Sequence, residues 1–536
     1  MNKPILAVIC CSLMLFVPAV AYAVSAQWDL DPTSGDWNTA ANWTPMGIPN
    51  GPADIATFGL SNTTNVSISA NTEVNGITFT SAAANPYYST ANPGLTLTIS
   101  GVGITNNSGK TQNLVVAGYV FENPGTLVFS NSATAGNNVS IFNQGFLQFS
   151  NRSTAANSSI FNWSGYMNFV DRSTAGSAYI ETDDAGIGFW NSSTAGSAYI
   201  GVTDNSSLYF ANNSTAGSAF IGSAGTIGFS ESSTAGNATI SNSGYLSFYG
   251  SAKGGTAQLE LLSIPDLGYT GILDISGHNA PGVTIGSIEG NEGTIVFLGA
   301  NNLTVGSNNL STTFSGVIRD GGDFGGTGGS LTKIGSGALI LSGASTYTGD
   351  TNVNRGVLQV DGSTTSNTFV NHRGTLAGIG TIQGNVMNND LGIVRPGGAL
   401  GAPGVLTVVQ NYTQTQYATL MIQIAGTSAG EFSVLNVLGN ANLNGLLDPI
   451  LLDSFIPSIG DEFTFLNYGS FSGAFKMQNG GIFNNGTERW VVIYQPTNAV
   501  LTATKNVSDQ GSTFLLLTLG LLGLVTYRRQ LMRARP

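Results

Sequence analysis

Apolar and polar residues alternate along most of this chain in short runs, each closed by Gly, Asn, Ser or Asp. Alternation carried by Ile, Val, Thr and Phe predicts β-strands, and the small polar residues between the runs predict turns. From Phe129 to Lys253 the pattern becomes a repeat. A Ser-Thr-Ala-Gly word or a near copy recurs with its threonines at Thr134, Thr154, Thr174, Thr194, Thr215 and Thr234, spaced 20, 20, 20, 21 and 19 residues apart. An aromatic stands five residues before each: Phe129, Phe149, Phe169, Phe189, Phe210 and Phe229, with Phe248 opening a further unit. An isoleucine follows each word, at Ile141, Ile160, Ile180, Ile200, Ile221 and Ile240. No unit carries a helical stripe.

A unit this small cannot bury its apolar face alone, so it must stack on its neighbours. The pattern therefore predicts an all-β fold, a right-handed parallel β-helix (β-solenoid) with coils about 4.8 Å apart. Equivalent residues would form ladders, with the phenylalanines inside, each worth roughly 1.5–3 kcal/mol of burial. A polar column, Asn131, Asn151, Asp171, Asn191, Asn212 and Glu231, follows the aromatics by two residues. It can bond along the stack or be a plain exposed turn. A β-propeller, the main rival, needs blades of about twice this period.

The ends of the chain read differently. Residues 1–23 combine Lys3, an apolar run and the small residues Ala21 and Ala23, the pattern of a signal peptide handled by the Sec export machinery and cleaved after Ala23. At the other end, an apolar run over residues 514–525 precedes Arg528, Arg529, Arg533 and Arg535. The run is short for a hydrocarbon core of about 30 Å. It reads as a short C-terminal transmembrane helix whose arginines hold the tail in the cytoplasm. Between these ends the chain divides into a Trp-rich N-terminal cap (24–60), solenoid (61–125), the 20-residue repeat block (126–256) and irregular solenoid (257–330). Two further segments, 331–362 and 363–505, lead to the tail at 506–536. In the cap, Trp28, Trp37 and Trp43 lie among Asn, Asp and Pro. They either close the open edge of the first coil or offer a platform for stacking carbohydrate.

Residues 331–362 contain Leu-Thr-Lys-Ile-Gly-Ser-Gly-Ala-Leu-Ile-Leu-Ser-Gly, then Tyr347-Thr-Gly and Gly356-Val-Leu-Gln-Val. This resembles the autotransporter-associated β-strand repeat, and similar text extends the resemblance over roughly 310–500. It implies an extracellular, β-helical passenger segment. Relatives that translocate themselves carry a C-terminal β-barrel of well over two hundred residues, whereas 36 residues follow Val500 here. The motif Val507, Asp509, Gly511, Ser512 and Thr513, followed by the apolar run and arginines, resembles a PEP-CTERM-type sorting tail of the Val-Pro-Asp-Ser-Gly variant. It departs from that variant at Ser508 and Gln510. The resemblance implies removal of the tail by an exosortase-type enzyme in the inner membrane, where the chain is held transiently by its C-terminal helix. A plain membrane anchor is the alternative.

Composition narrows the remaining chemistry. A net charge of −12 leaves no basic face for nucleic acid. Both cysteines, Cys10 and Cys11, fall in the leader, so disulfides are not expected in the mature chain. Acid–base work on a glycan needs facing carboxylates. The densest acidic group, Glu181, Asp183 and Asp184 with Asp204 a coil later, reads as a solvated turn, with a Ca²⁺ site as the other possibility. His278 and His372 make no metal or triad spacing, and Arg319, Asp320 and Lys333 read as caps of coil ends. We expect no catalytic residue, cofactor or metal. The reading is a secreted or cell-surface structural or adhesin-like protein in the envelope, outer surface or matrix, with extracellular polysaccharide as a possible partner. The alternative is a carbohydrate-active β-helix enzyme or a glycan-binding surface protein.

Overall fold

The structure, a computed structural model, describes residues 24–119, 122–398 and 401–506. The leader with Ala21 and Ala23, the sorting motif from Val507 to Thr513, and the four terminal arginines lie outside the described residues. Parallel strands joined in long sheets make the chain an all-β solenoid, and it divides after Ile180 into two compact units.

In the first unit, one sheet runs through Gly51–Phe58, Thr72–Phe79, Thr96–Asn106, Thr126–Phe129, Phe146–Phe149 and Tyr166–Phe169, each parallel to the next. A second sheet contains Tyr88–Ala91, Gln112–Val116, Asn137–Asn143 and Asn157–Trp163. Between them, Thr134, Thr154 and Thr174 form a corner column of single parallel bridges. The equal repeat length sets the register, pairing Phe129 with Phe149 and Phe149 with Phe169. Their rings stack with centroids 4.8 Å apart and planes within 6°. The first coil is closed by Ala26–Trp28, which pairs antiparallel with Trp43–Thr44 and parallel with Gly51–Phe58.

The second unit repeats this plan. Phe189, Phe210, Phe229 and Phe248 pair in register, fully or almost fully buried. Their centroids lie 4.8, 4.8 and 5.0 Å apart. Ile200, Ile221 and Ile240 make the parallel ladder on the facing sheet. Beyond Gly282 the corner widens into a third sheet: Gly282–Ile285, Asn302–Val305, Ser330–Lys333, Thr351–Val353, Thr368–Val370, Val386–Asn388 and Tyr412–Gln414.

Two turn columns show why these residue types recur. Each threonine Oγ1 accepts the N–H two residues on, at 2.9–3.0 Å, from Gly136, Ala156, Gly176, Gly196, Gly217 and Gly236. All six acceptor turns have positive φ, from 53° at Ala156 to 82° at Gly136, where glycine is favoured. The polar column also has positive φ, between 53° and 61°. Asparagine and aspartate tolerate that conformation. Their side chains reach along the stack as well: Asn131 N–H donates to Asn151 Oδ1 at 3.0 Å, Asn151 N–H to Asp171 Oδ2 at 2.9 Å, and Asn191 N–H to Asn212 Oδ1 at 2.9 Å. The column is therefore both an exposed turn and a hydrogen-bonded ladder.

The C-terminal end departs from the expectation of parallel coils through residue 505. Asn498–Lys505 runs antiparallel to both Glu462–Gly473 and Glu488–Tyr494. The reversal pairs backbone groups that a last parallel coil would leave open.

Candidate functional site

The tryptophan cluster is a cap. Trp28, Trp37 and Trp43 are at most 1% exposed and pack edge to face, with centroids 5.0 and 5.2 Å apart, around Phe58. Each indole N–H is used inside the protein, by Thr63 O at 3.0 Å, Pro49 O at 3.0 Å and Trp37 O at 2.7 Å. No ring face is open to a sugar, which corrects the platform alternative. Buried rings with satisfied N–H groups seal the first coil.

The acidic candidates act within turns. Asp183 accepts Thr203 Oγ1 at 2.9 Å, and Asp184 sits at a positive φ of 50°. Asp204 lies 3.5 Å from the Tyr269 hydroxyl. Among the described residues no group of three His, Cys, Asp or Glu side chains is placed to hold a metal. Asp320 accepts the N–H groups of Gly328 and Gly329 at 3.2 and 3.0 Å and the Thr348 hydroxyl at 2.6 Å, pinning a glycine loop. Arg319 lies over Phe297, 4.6 Å from its centroid. Lys333 is buried and donates to the carbonyls of Ile334, Gly335 and Arg355. Burial lowers its amine to about 8. These three side chains hold coil ends.

One polar knot was not legible in the sequence. The Tyr245 hydroxyl lies 2.8 Å from both Asp274 Oδ2 and Asp323 Oδ2. Burial first, and the two carboxylates next, push this phenol well above its ordinary value. A single hydroxyl proton serves only one of the two acceptors.

The more open feature is a groove of about 450 Å³ lined by Ser251, Lys253, His278, Asn279, Gly282 and Thr284, among others. It opens where the repeat loses its regularity. Lys253 pairs in register with Thr234 and so takes the next place in the threonine column. His278 is bridged to Gly250, and its ring nitrogens face carbonyl oxygens only: Nδ1 lies 2.6 Å from Asn279 O and Nε2 2.7 Å from Ala252 O. A ring engaged this way is not placed to take a proton from a nucleophile. His372 is exposed on a turn. Around Gly277, the residue before His278, Tyr249 and Phe324 are 50% and 66% exposed, with ring centroids 5.2 Å apart. The only trace of this site in the sequence is a lysine where threonine recurs.

With this geometry in view, the relatives become informative. Residues 331–360 match the passenger-associated-transport-repeat family. They give Ser330–Lys333 and Thr351–Val353 to the third sheet, in register with Asn302–Val305 before and Thr368–Val370 after, and Ala338–Leu341 and Gly356–Val360 to another parallel sheet. The chain is 48% identical over 84 residues to an extracellular serine protease of Serratia marcescens. It is 38% identical over 116 residues to the adhesin BmaC autotransporter of Brucella suis biovar 1. These matches cover 16% and 21% of this chain but only 8% and 3% of those proteins. Among the described residues no helix is long and apolar enough to cross a membrane.

Proposed function

We propose that this chain is an exported β-solenoid that serves a structural or adhesive role at the cell surface or in the extracellular matrix, without catalysis of its own. The observation that carries the reading is the passenger-type repeat at 331–360, built into the same uninterrupted sheet as the coils around it. The likeness to an autotransporter named as an adhesin supports the same role. A stack of ladders with its phenylalanine and isoleucine columns turned inward supplies its own core and leaves its outward side chains free for contact, as a scaffold or adhesin requires.

Export begins with the leader through the Sec machinery. The apolar run at 514–525 then halts the chain in the inner membrane, with Arg528, Arg529, Arg533 and Arg535 on the cytoplasmic side. An exosortase-type enzyme removes the tail at the motif of Val507, Asp509, Gly511, Ser512 and Thr513. The test combines protease shaving of intact cells with mass spectrometry of the native protein. Body peptides released from the surface, with a C-terminus near 507–513, are expected. An intact Pro536 in the mature pool would leave only an anchor, and a body protected inside the cell would sink the surface reading.

A further inference from the structure

We infer that Arg395 and Gln423 hold a chloride ion against the sheet beside Gly397 and Gly398. The site goes beyond the surface reading and does not depend on it.

The first argument is an uncompensated charge. Leu358, Leu376, Val394 and Leu420 pair in register and are buried in the core, so Gln359, Ala377 and Arg395, each one residue on, point to the outward face. An outward arginine is ordinarily solvated, yet Arg395 is only 8% exposed. The chain turns back over it: Gly397 bridges antiparallel to Gly378, and Gly398 N–H donates to Ala402 O at 3.0 Å. A guanidinium carries five N–H donors. Among the described residues, Arg395 makes one hydrogen bond, from Nη2 to Gly398 O at 3.2 Å, while Nε is buried without an acceptor. No carboxylate there pairs with it, and burial alone shifts the group, downward. The acids on the same face are placed elsewhere. Asp361 accepts from Gln359 Nε2 at 2.7 Å and from Ile379 N–H at 3.3 Å. Asp448 is in register with Met421, and burial, not a neighbouring cation, sets its carboxyl, raising it. Arginine keeps its proton in proteins, so a buried guanidinium without a counter-charge calls for an anion.

The second argument is a second orphan donor at the same place. Gln423 is fully buried, its Oε1 accepts Gly401 N–H at 2.7 Å, and its Nε2 has no acceptor. The bond from Gly401 fixes which end of the amide is oxygen, so the orphan is a donor. The two side chains meet at consecutive glycines. A Cβ on Gly397 would stand 3.2 Å from Gln423 Nε2, and Gly398 takes the bond from Arg395. Both orphan nitrogens are buried, which sets the size of the ligand. A monatomic anion brings the charge that water lacks and accepts from donors in any direction. A carboxylate or sulfate would bring further oxygens into the same packed turn. Chloride is the abundant extracellular anion of that kind. Bound here, it ties the strand Ile393–Pro396 to its neighbour Thr419–Ile424.

Hydrogen exchange of the mature chain tests this at constant ionic strength in sodium chloride, bromide or isethionate. Amides of Val394, Arg395 and Thr419–Ile424 should exchange about tenfold more slowly in either halide than in isethionate, as for a ligand at about ten times its Kd. Those of Ser207–Phe210 should exchange alike in all three salts. Arg395→Met removes the charge at similar length and should abolish the halide dependence; Gln423→Leu should reduce it to about threefold. Unchanged exchange at Ser207–Phe210 would show that the rest of the stack folds in both variants. Bromide-soaked crystals of the native chain need no variant: an anomalous peak should lie within hydrogen-bonding reach of Arg395 Nε and Gln423 Nε2. Equal exchange in the three salts, a halide effect that persists in Arg395→Met, or no bromide at this position would each overturn the proposal.

Discussion

Phe210→Ala is the sharpest perturbation of the ladder. Phe210 is fully buried and stacks on Phe189 and Phe229 with centroids 4.8 Å apart on both sides and planes within 9°. Removing a buried phenylalanine costs about 3–5 kcal/mol. Each lost ring pair contributes about 0.5–1.5 kcal/mol of that, so a site with two pairs belongs at the upper end. The control is Asn212→Gly, two residues away. Glycine keeps the positive φ of 56° and loses only the acceptor for Asn191 N–H at 2.9 Å and the amide contact with Glu231 at 2.6 Å. That exposed loss should cost about 1 kcal/mol. Because stacked coils open locally, hydrogen exchange is a better gauge than a global melt. Amides of Ser207–Phe210 and Thr226–Phe229 should exchange roughly a thousandfold faster in Phe210→Ala, and about fivefold faster in Asn212→Gly. Equal acceleration in the two variants would mean that the stacked rings are not what holds the coils together.

Three other outcomes follow from single contacts. Gly217→Ala should destabilise by about 1–3 kcal/mol, because φ is 63° and the new Cβ would lie 2.5 Å from Gly196 O; Ala156→Gly, at the equivalent turn, should shift the melting temperature the other way by a smaller amount. Lys333 has its folded value depressed to about 8 from 10.5, so its charged form is the one the fold disfavours. Stability should rise as pH increases through the window from about 8 to 10.5, by up to about 3 kcal/mol, and Lys333→Met should abolish that slope in denaturant titrations. Asp323→Asn supplies an amide donor to the Tyr245 oxygen where two carboxylates now compete for one proton, so chemical denaturation should find it neutral or stabilising by about 1 kcal/mol; a large loss would show that Asp323 is the hydroxyl's essential acceptor.

What could be read in the sequence was what repeats. The phenylalanines announced their ladder because equal coil lengths bring equal positions into register, as Phe210 with Phe229 and Phe229 with Phe248. The polar column was half legible. Its type showed a turn, but the bond from one asparagine to the next coil's backbone is set by a positive φ that spacing does not reveal. A second ladder escaped notice altogether: Asn367, Asn385, Asn411 and Asn440 bond successively at 2.9–3.2 Å. They stand 18, 26 and 29 residues apart, so no period betrays them. The tryptophans were ambiguous because a cap and a sugar platform use the same residues. The indole N–H groups decided it, and their carbonyl partners lie as far as 35 residues along the chain.

The same logic explains why the groove sits where it does. Within the regular block, the phenylalanine, isoleucine and threonine columns repeat from coil to coil, so those positions are alike. A concavity lined by different chemistry needs positions that differ. Between Gly250 and Ile285 the solenoid changes from a corner of single threonine bridges to a third sheet. Lys253 replaces a threonine there, and the loop after Ile275 brings His278 back over Gly250. A later loop sets Phe324 against Tyr249, with Phe324 N–H donating to Ser276 Oγ at 3.1 Å. Each departure would be a defect in a set of coils whose stability depends on uniform stacking. Together they put a lysine, an imidazole and a set of hydroxyl and amide groups around one concavity, a combination that the threonine column alone does not make.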